Sequence, residues 1–393
     1  MYYQTKFGEL LKQNFFGKLW CRFQCLFVRC YSSRICDARA LTVIRGPDNF
    51  TSVNALSNQI WRAFEAKMAC ASEIQVETST SAILLVYAAI QIILFIATII
   101  GSIVAIVGLC KKSTIPDSTR VLLVGSLFFA NAHEFAYFTT PIKIFQLNLF
   151  HSNTSCYPLE STQECVPSTT VLTMGIAGSM LIQSALCADR LLATLFPASY
   201  SRRGALPGVI LLVLVLIPAV FAYSIIRQNS VLDDYQMYCS QWSASIRTKA
   251  NTFLECCFYL TVVNIAVNCL IILRNRAVEN RRRFDIQQQY ITSETLKTTK
   301  AICYLSIAQF MAMFVYSGGV LFMRTHQNSI PIRLYPKVII WVYAPPYACA
   351  SLAPLIIFSL WNLKKQRQMR IHEITVVKET QEDHIKKLQQ SWA

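Results

Sequence analysis

Residues 185–197 read ALCADRLLATLFP. An apolar run long enough to cross a bilayer ends there in two adjacent charges, Asp189 and Arg190, and then turns apolar again. A guanidinium is costly in hydrocarbon. At the edge of such a run it pairs with a neighbouring carboxylate or with carbonyls instead of facing lipid. Cys165 opens the same run 190 − 165 = 25 residues earlier. As helix that interval is about 37 Å, so one end lies on each side of a membrane.

The rest of the composition agrees with lipid as the solvent. Of 393 residues, 54% are hydrophobic and 15% charged, and the mean hydropathy is +0.38, which argues against a water-soluble core with a solvated surface. The net charge of +16 reads as the Lys/Arg bias of membrane loops. Nucleic-acid binding is not expected, since no RNP, zinc-finger or helix-turn-helix pattern appears. Among fifteen cysteines, Cys110, Cys187, Cys256, Cys257, Cys269, Cys303 and Cys349 lie in or beside apolar runs and read as small buried hydrophobes.

Seven apolar runs of spanning length are found at 82–109, 121–145, 167–188, 207–226, 251–273, 299–323 and 338–361, while barrel patterning is absent. The fold class expected is therefore all-α, a polytopic bundle of seven transmembrane helices. Lys111, Lys112, Arg120, Arg190, Arg202, Arg203, Arg274, Arg276, Arg281 to Arg283, Lys297, Lys364, Lys365, Arg367 and Arg370 fall on one side, and fewer basic residues fall on the other. This bias puts the C-terminus in the cytoplasm and the segment before span one outside. The sequon at Asn153, in the loop after span two, falls on the outer face and is the expected glycosylation site.

Residues 68–365 form the expected membrane domain and 366–393 a cytoplasmic tail. Residues 1–67 read as a disordered or dispensable extension, with a targeting or interaction segment as the alternative. The stretch FFGKLWCRFQCLFVRCYSSRICDARA at 15–40 is basic, has no apolar core long enough for a signal peptide, and places Cys21, Cys25, Cys30 and Cys36 at no zinc spacing. The segment from Met68 carries no Lys or Arg up to span one, as an outward-facing segment should.

Cys165 sits on the oxidising side, where it can form a disulfide. Cys239, in the loop between spans four and five, is the expected partner. Cys70 and Cys156 share that side, so four cysteines leave three connectivities open.

Several polar residues sit inside apolar runs. NAHEFAY at 131–137 puts Asn131, His133, Glu134 and Tyr137 in span two, but Tyr137 stands where a second histidine would complete the zinc-protease pattern. Glu134 and Tyr137 lie three residues apart on one face, Glu255 and Tyr259 share a face of span five, and Trp341 and Pro345 share a face of span seven. Glu134, Tyr137, Glu255, Tyr259 and Trp341 are the candidate lining of a small-molecule cavity between helices; aromatic enrichment at membrane interfaces is the competing account. His133 reads equally as an interhelical hydrogen-bonding residue. The basic stretch RNRAVENRRRF at 274–284 serves the orientation bias and attracts anionic lipid.

A cysteine at the outer end of helix three with an acidic–Arg pair at its inner end resembles the rhodopsin-like G-protein-coupled receptors. CASE at 70–73, DSTRVLLVGSLFFANAHEFAY at 117–137, DRLLATLFP at 189–197 and TLKTTKAICYLSIAQFMAMFVYSGGV at 295–320 narrow this. Together they resemble the nematode serpentine receptor class alpha (Sra) chemoreceptors, over about residues 68–365.

The resemblance implies a plasma-membrane receptor of chemosensory neurons that binds a small molecule or peptide and activates a heterotrimeric G protein. Asp189 and Arg190 would form its state switch, and Glu294, just before span six, is the nearest acidic residue that could restrain Arg190. The basic stretch after span five would join the G-protein surface. Helix three lacks the tyrosine that follows Arg in the wider class, helix six lacks the Cys-Trp-x-Pro toggle, and Pro354 lacks its flanking Asn or Asp and tyrosine. The detailed activation route of that class therefore does not carry over.

No cofactor, metal or enzymatic chemistry is expected, since GxSxG, HExxH, paired intramembrane aspartates and a P-loop are all missing. The competing functions are a ligand-gated seven-helix channel, whose expected orientation opposes the Arg distribution and Asn153, and a small-solute transporter, which would need an internal repeat.

Overall fold

A computed structural model describes residues 76, 80–111, 115–150, 159–196, 200, 202–228, 235–242, 246–281, 286–331 and 334–392. Seven helical stretches among them are long and apolar enough to cross a membrane: Ala82–Cys110, Asp117–Leu149, Thr162–Leu195, Leu206–Arg227, Arg247–Asn275, Leu296–Thr325 and Tyr335–Met369. The second and third spans are 72% buried over their most apolar stretch, against 22% and 28% for the first and fourth. Spans two and three are thus the centre of the bundle, and spans one and four its wall. Large apolar side chains on the outside, such as Ile93, Leu214, Val263 and Leu270, suit lipid as the solvent.

In chain order the helices are α1 (Ala82–Cys110), α2 (Asp117–Tyr137), α3 (Thr139–Phe150), α4 (Thr162–Leu195), α5 (Leu206–Arg227), α6 (Arg247–Arg281), α7 (Ile286–Thr325), α8 (Tyr335–Val342) and α9 (Pro345–Trp392). Two expected spans are broken. Span two divides at Phe138 into α2 and α3, because Pro141 has no N–H for the Tyr137 carbonyl and its ring crowds that turn. Span seven divides into α8 and α9, because Pro345 and Pro346 together remove two donors and push the residue before them out of helical conformation. Elsewhere the helices outrun the apolar stretches. α6 and α7 extend beyond 251–273 and 299–323, and α9 continues through the expected tail to Trp392. Polar helix formers beyond the bilayer leave no hydropathy signal.

α4 is the axis of the bundle and packs on α2, α5, α6 and α7. Its start is written in Ser161-Thr-Gln-Glu164, where the Ser161 hydroxyl accepts the Glu164 N–H at 3.3 Å. Small residues let the helices close in: a Cβ on Gly208 of α5 would lie 2.2 Å from the Ser118 carbonyl oxygen of α2. Polar side chains bridge helices within the apolar interior, as in Asn131 Nδ2 to Ser102 Oγ (2.8 Å) and Asn264 Nδ2 to Ser184 Oγ (2.7 Å).

At one end of the bundle, strand β1 (Glu160–Ser161) pairs antiparallel with β2 (Tyr235–Gln236), in register Glu160 with Gln236. Just beyond them Cys165 and Cys239 form a disulfide, and Thr169 Oγ1 donates to the Cys239 carbonyl at 3.0 Å. Lys143 of α3 pairs with Glu160. The loop between spans four and five is thereby tied to the head of α4.

Candidate functional site

The far end of α4 carries Asp189 and Arg190, both fully buried. Asp189 takes one donor set on each oxygen. Oδ1 accepts from Ser118 Oγ (2.6 Å) and the Tyr200 hydroxyl (2.8 Å); Oδ2 accepts from Thr119 Oγ1 (2.8 Å) and from Arg190 Nη2 (2.6 Å). Arg190 Nη2 also donates to Thr119 Oγ1 and, at 2.8 Å, to the Tyr200 hydroxyl. The guanidinium carbon stands 5.6 Å from the Tyr200 ring centre, within cation–π range.

The first turn of α2, the end of α4 and Tyr200 beyond it are therefore tied together by one ionic knot. Burial pushes the Tyr200 phenol up from its ordinary range, against the pull of Arg190, which keeps the hydroxyl a donor to Asp189. Arg190 Nη1 is buried with no hydrogen-bond partner among the described residues. The side chain of Glu294, expected to restrain Arg190, lies outside the described residues.

Near the same end, Ile272, Asn275, Lys297, Lys300, Tyr304, Asn362 and Gln366 of α6, α7 and α9 line a cavity of about 430 Å³. Asn275 is buried, and neither of its amide atoms has a partner among the described residues. Leu296, Leu305, Leu355, Phe358 and Leu363 complete a mostly apolar lining, in which Lys297 and Lys300 are the charged residues.

A second cluster forms where α2 meets the break between α8 and α9. Tyr137 and Tyr87 share a hydrogen bond of 2.8 Å between hydroxyls, and the Tyr137 ring stacks on Tyr343 at 4.8 Å. Tyr316 meets Tyr343 edge-on at 5.3 Å, and Trp341 meets Tyr87 edge-on at 5.2 Å. His133 Nε2 and the Tyr343 hydroxyl are 2.8 Å apart, and His133 Nδ1 lies 3.3 Å from Glu134 Oε1. Because Tyr343 sits in the interruption of span seven, its ring can turn inward and join residues from four spans.

Of the five candidate cavity residues, three come together: Glu134 and Tyr137 are buried in this cluster, and Trp341 stands at its edge. Glu255 and Tyr259 do share a face of α6, but it is the exposed one, with Tyr259 68% exposed. Their spacing set the shared face correctly and carried no information about which way that face turns. Tyr87, Tyr316 and Tyr343 belong to the cluster without having been singled out. The Pro-Pro step at 345–346 is the signal that could have pointed to Tyr343. Asn153, Cys70 and Cys156 lie outside the described residues.

These features were compared with known proteins. The family described as "Serpentine type 7TM GPCR chemoreceptor Sra" matches residues 65–392. Serpentine receptor class alpha-12 of Caenorhabditis elegans is 70% identical over 326 residues, covering 83% of this chain and all of the relative. The protein of that name from Caenorhabditis briggsae is 69% identical over 325 residues, with the same coverage. Serpentine receptor class alpha-10 of C. elegans is 37% identical over 330 residues, covering 82% of this chain and 97% of the relative. With seven membrane-spanning helices and a disulfide at the head of the third, the chain belongs to the Sra family of seven-transmembrane serpentine chemoreceptors.

Proposed function

We propose that the chain is a chemosensory receptor of the neuronal plasma membrane, which binds a small molecule or peptide at its disulfide end and activates a heterotrimeric G protein at its arginine end. The Lys/Arg bias supports a cytoplasmic position for the arginine end. The observation that carries the reading is the buried knot of Asp189, Arg190, Thr119 and Tyr200.

A charge pair with no exposure, held by side chains from three segments, is suited to switching between a closed arrangement and a released one. That is the bistable element a receptor needs. An agonist shifts its population only by binding the two arrangements unequally. The aromatic cluster is the place for that difference, since it joins spans one, two, six and seven around the broken helix. Release of Arg190 frees the guanidinium for a G protein entering beside the Asn275 and Lys300 hollow, and Glu294 is an additional restraint on the resting side.

The test is expression in a cell carrying a G-protein reporter, screened with small odorants and peptides. Agonist-dependent signal that vanishes in Arg190→Ala at equal surface density supports the reading. Agonist-gated current without any G-protein signal overturns it.

A further inference from the structure

His133 and Glu134 are adjacent in α2, and Cys349 lies 216 residues further on in α9. The fold brings their donor atoms together: His133 Nδ1, a Glu134 carboxylate oxygen and Cys349 Sγ all lie within 4.8 Å of one another, and all three residues are buried. As a hydrogen-bonded triad the group is loose. The Nδ1 to Oε1 separation is 3.3 Å and the Sγ to Nδ1 separation 3.8 Å, the first longer than a well-made N–H···O bond. As edges of a coordination tetrahedron the same two separations fit. Zinc bond lengths give about 3.3 Å between N and O ligands and about 3.6 Å between N and S.

We propose that His133, Glu134 and Cys349 form a binding site for a divalent ion of the zinc class inside the bundle. The charge balance favours it in a low-dielectric interior. A carboxylate and a thiolate together cancel the +2 of the ion, and the neutral imidazole adds none. Binding releases the thiol proton, and the carboxyl proton if present, to solvent. His133 is held for the task on two sides. Its Nε2 faces the Tyr343 hydroxyl at 2.8 Å; with the ion on Nδ1 the ring carries its proton on Nε2, and that hydroxyl is placed to accept it. Behind it, Gly175 of α4 packs so closely that a Cβ there would lie 2.6 Å from the His133 Cβ.

Three protein ligands leave a fourth position. Cys349 also lines a cavity with room for about one water. Gln183, whose buried Oε1 has no partner among the described residues, lines the same cavity. No short-range sequence pattern encodes the site, because one ligand comes from the other end of the domain. The proposal is independent of G-protein coupling.

The full chain, purified in detergent and stripped with a chelator, is titrated with Co²⁺ and followed by absorption. One equivalent is expected to give the strong visible bands of four-coordinate cobalt and a near-ultraviolet thiolate-to-cobalt charge-transfer band, both displaced by Zn²⁺. Cys349→Ser should lose the charge-transfer band and His133→Ala the tight equivalent. Tyr343→Phe, which removes only the partner of Nε2, should keep the band with affinity weakened about 10- to 100-fold. X-ray absorption at the cobalt edge of the unsubstituted chain reads the sites without dependence on how a variant folds: one sulfur and at least one imidazole are expected. A shell of nitrogen and oxygen alone, or a spectrum unchanged by Cys349→Ser, overturns the proposal.

Discussion

The Tyr200 hydroxyl stands 2.8 Å from Arg190 Nη2 and accepts its proton while donating its own to Asp189 Oδ1, also at 2.8 Å. One hydroxyl thus closes the ring between the two charges, from a residue beyond the end of α4. Tyr200→Phe removes both bonds and keeps the ring. The expected cost is about 1 to 3 kcal/mol, because a buried carboxylate and guanidinium each lose a partner. Since the cost falls on the closed arrangement, basal reporter signal should rise at equal surface density. An unchanged basal signal with lowered thermal stability would confine Tyr200 to a structural role.

Arg190→Ala and Asp189→Asn separate restraint from coupling. Removing one member of a buried pair costs about 3 to 5 kcal/mol, with the lower end expected for Arg190→Ala because Ser118, Thr119 and Tyr200 still donate to Asp189. That variant should bind agonist with little change, since Arg190 lies about 37 Å from Cys165 by helix rise, yet fail to signal. Asp189→Asn keeps the Arg and sets an amide donor against donors, so basal activity should rise. Radioligand binding and the reporter, read together at matched expression, decide both. Full signalling by Arg190→Ala would reduce the knot to an anchor of helix three.

The class of fold was legible because lipid imposes one apolar run per span, and the seven runs are found where the seven spanning helices lie. The breaks within spans two and seven escaped, although Pro141, Pro345 and Pro346 were in plain view, since hydropathy averages over backbone chemistry. The Asp189–Arg190 pair announced itself by being charged at the end of an apolar run. Its partners Ser118, Thr119 and Tyr200 did not, because hydroxyls are ordinary in such places and only the fold selects them. Glu255 and Tyr259 show the converse: periodicity assigns residues to one face but does not say whether that face meets the bundle or the lipid.

The Cys165–Cys239 bond closes a sequence separation of 74 residues. Non-reducing peptide mapping of receptor taken from the cell surface should recover these two cysteines in one linked pair. Cys239→Ser should lower stability by about 2 to 4 kcal/mol and free the loop between spans four and five from the head of α4. Recovery of Cys165 joined to Cys70 or Cys156 would contradict the structure.

The membrane domain is proposed to insert without residues 1–67. A chain beginning at Met68 should reach the surface with Asn153 outside and the end of α9 inside, as judged by glycosidase sensitivity and an epitope at the C-terminus. Retention or inversion of the short chain, with normal behaviour of the long one, would make the first 67 residues a working part of insertion.

Agonist potency is the measure that separates the inner aromatic cluster from the outer face of α6. Tyr137→Phe removes the hydroxyl bond to Tyr87 and leaves the stack on Tyr343 intact, so a change of up to about tenfold is expected, equal to about 1.4 kcal/mol. Tyr343→Ala empties the centre of the cluster and removes stacking and edge contacts at once, so the loss should exceed tenfold. Tyr259→Ala and Glu255→Gln alter side chains on the exposed face of α6 and should leave potency within about threefold, a difference of about 0.7 kcal/mol. The opposite ordering, with the α6 pair governing potency and Tyr343 silent, would place the ligand between helices at the lipid face and take the aromatic cluster out of recognition.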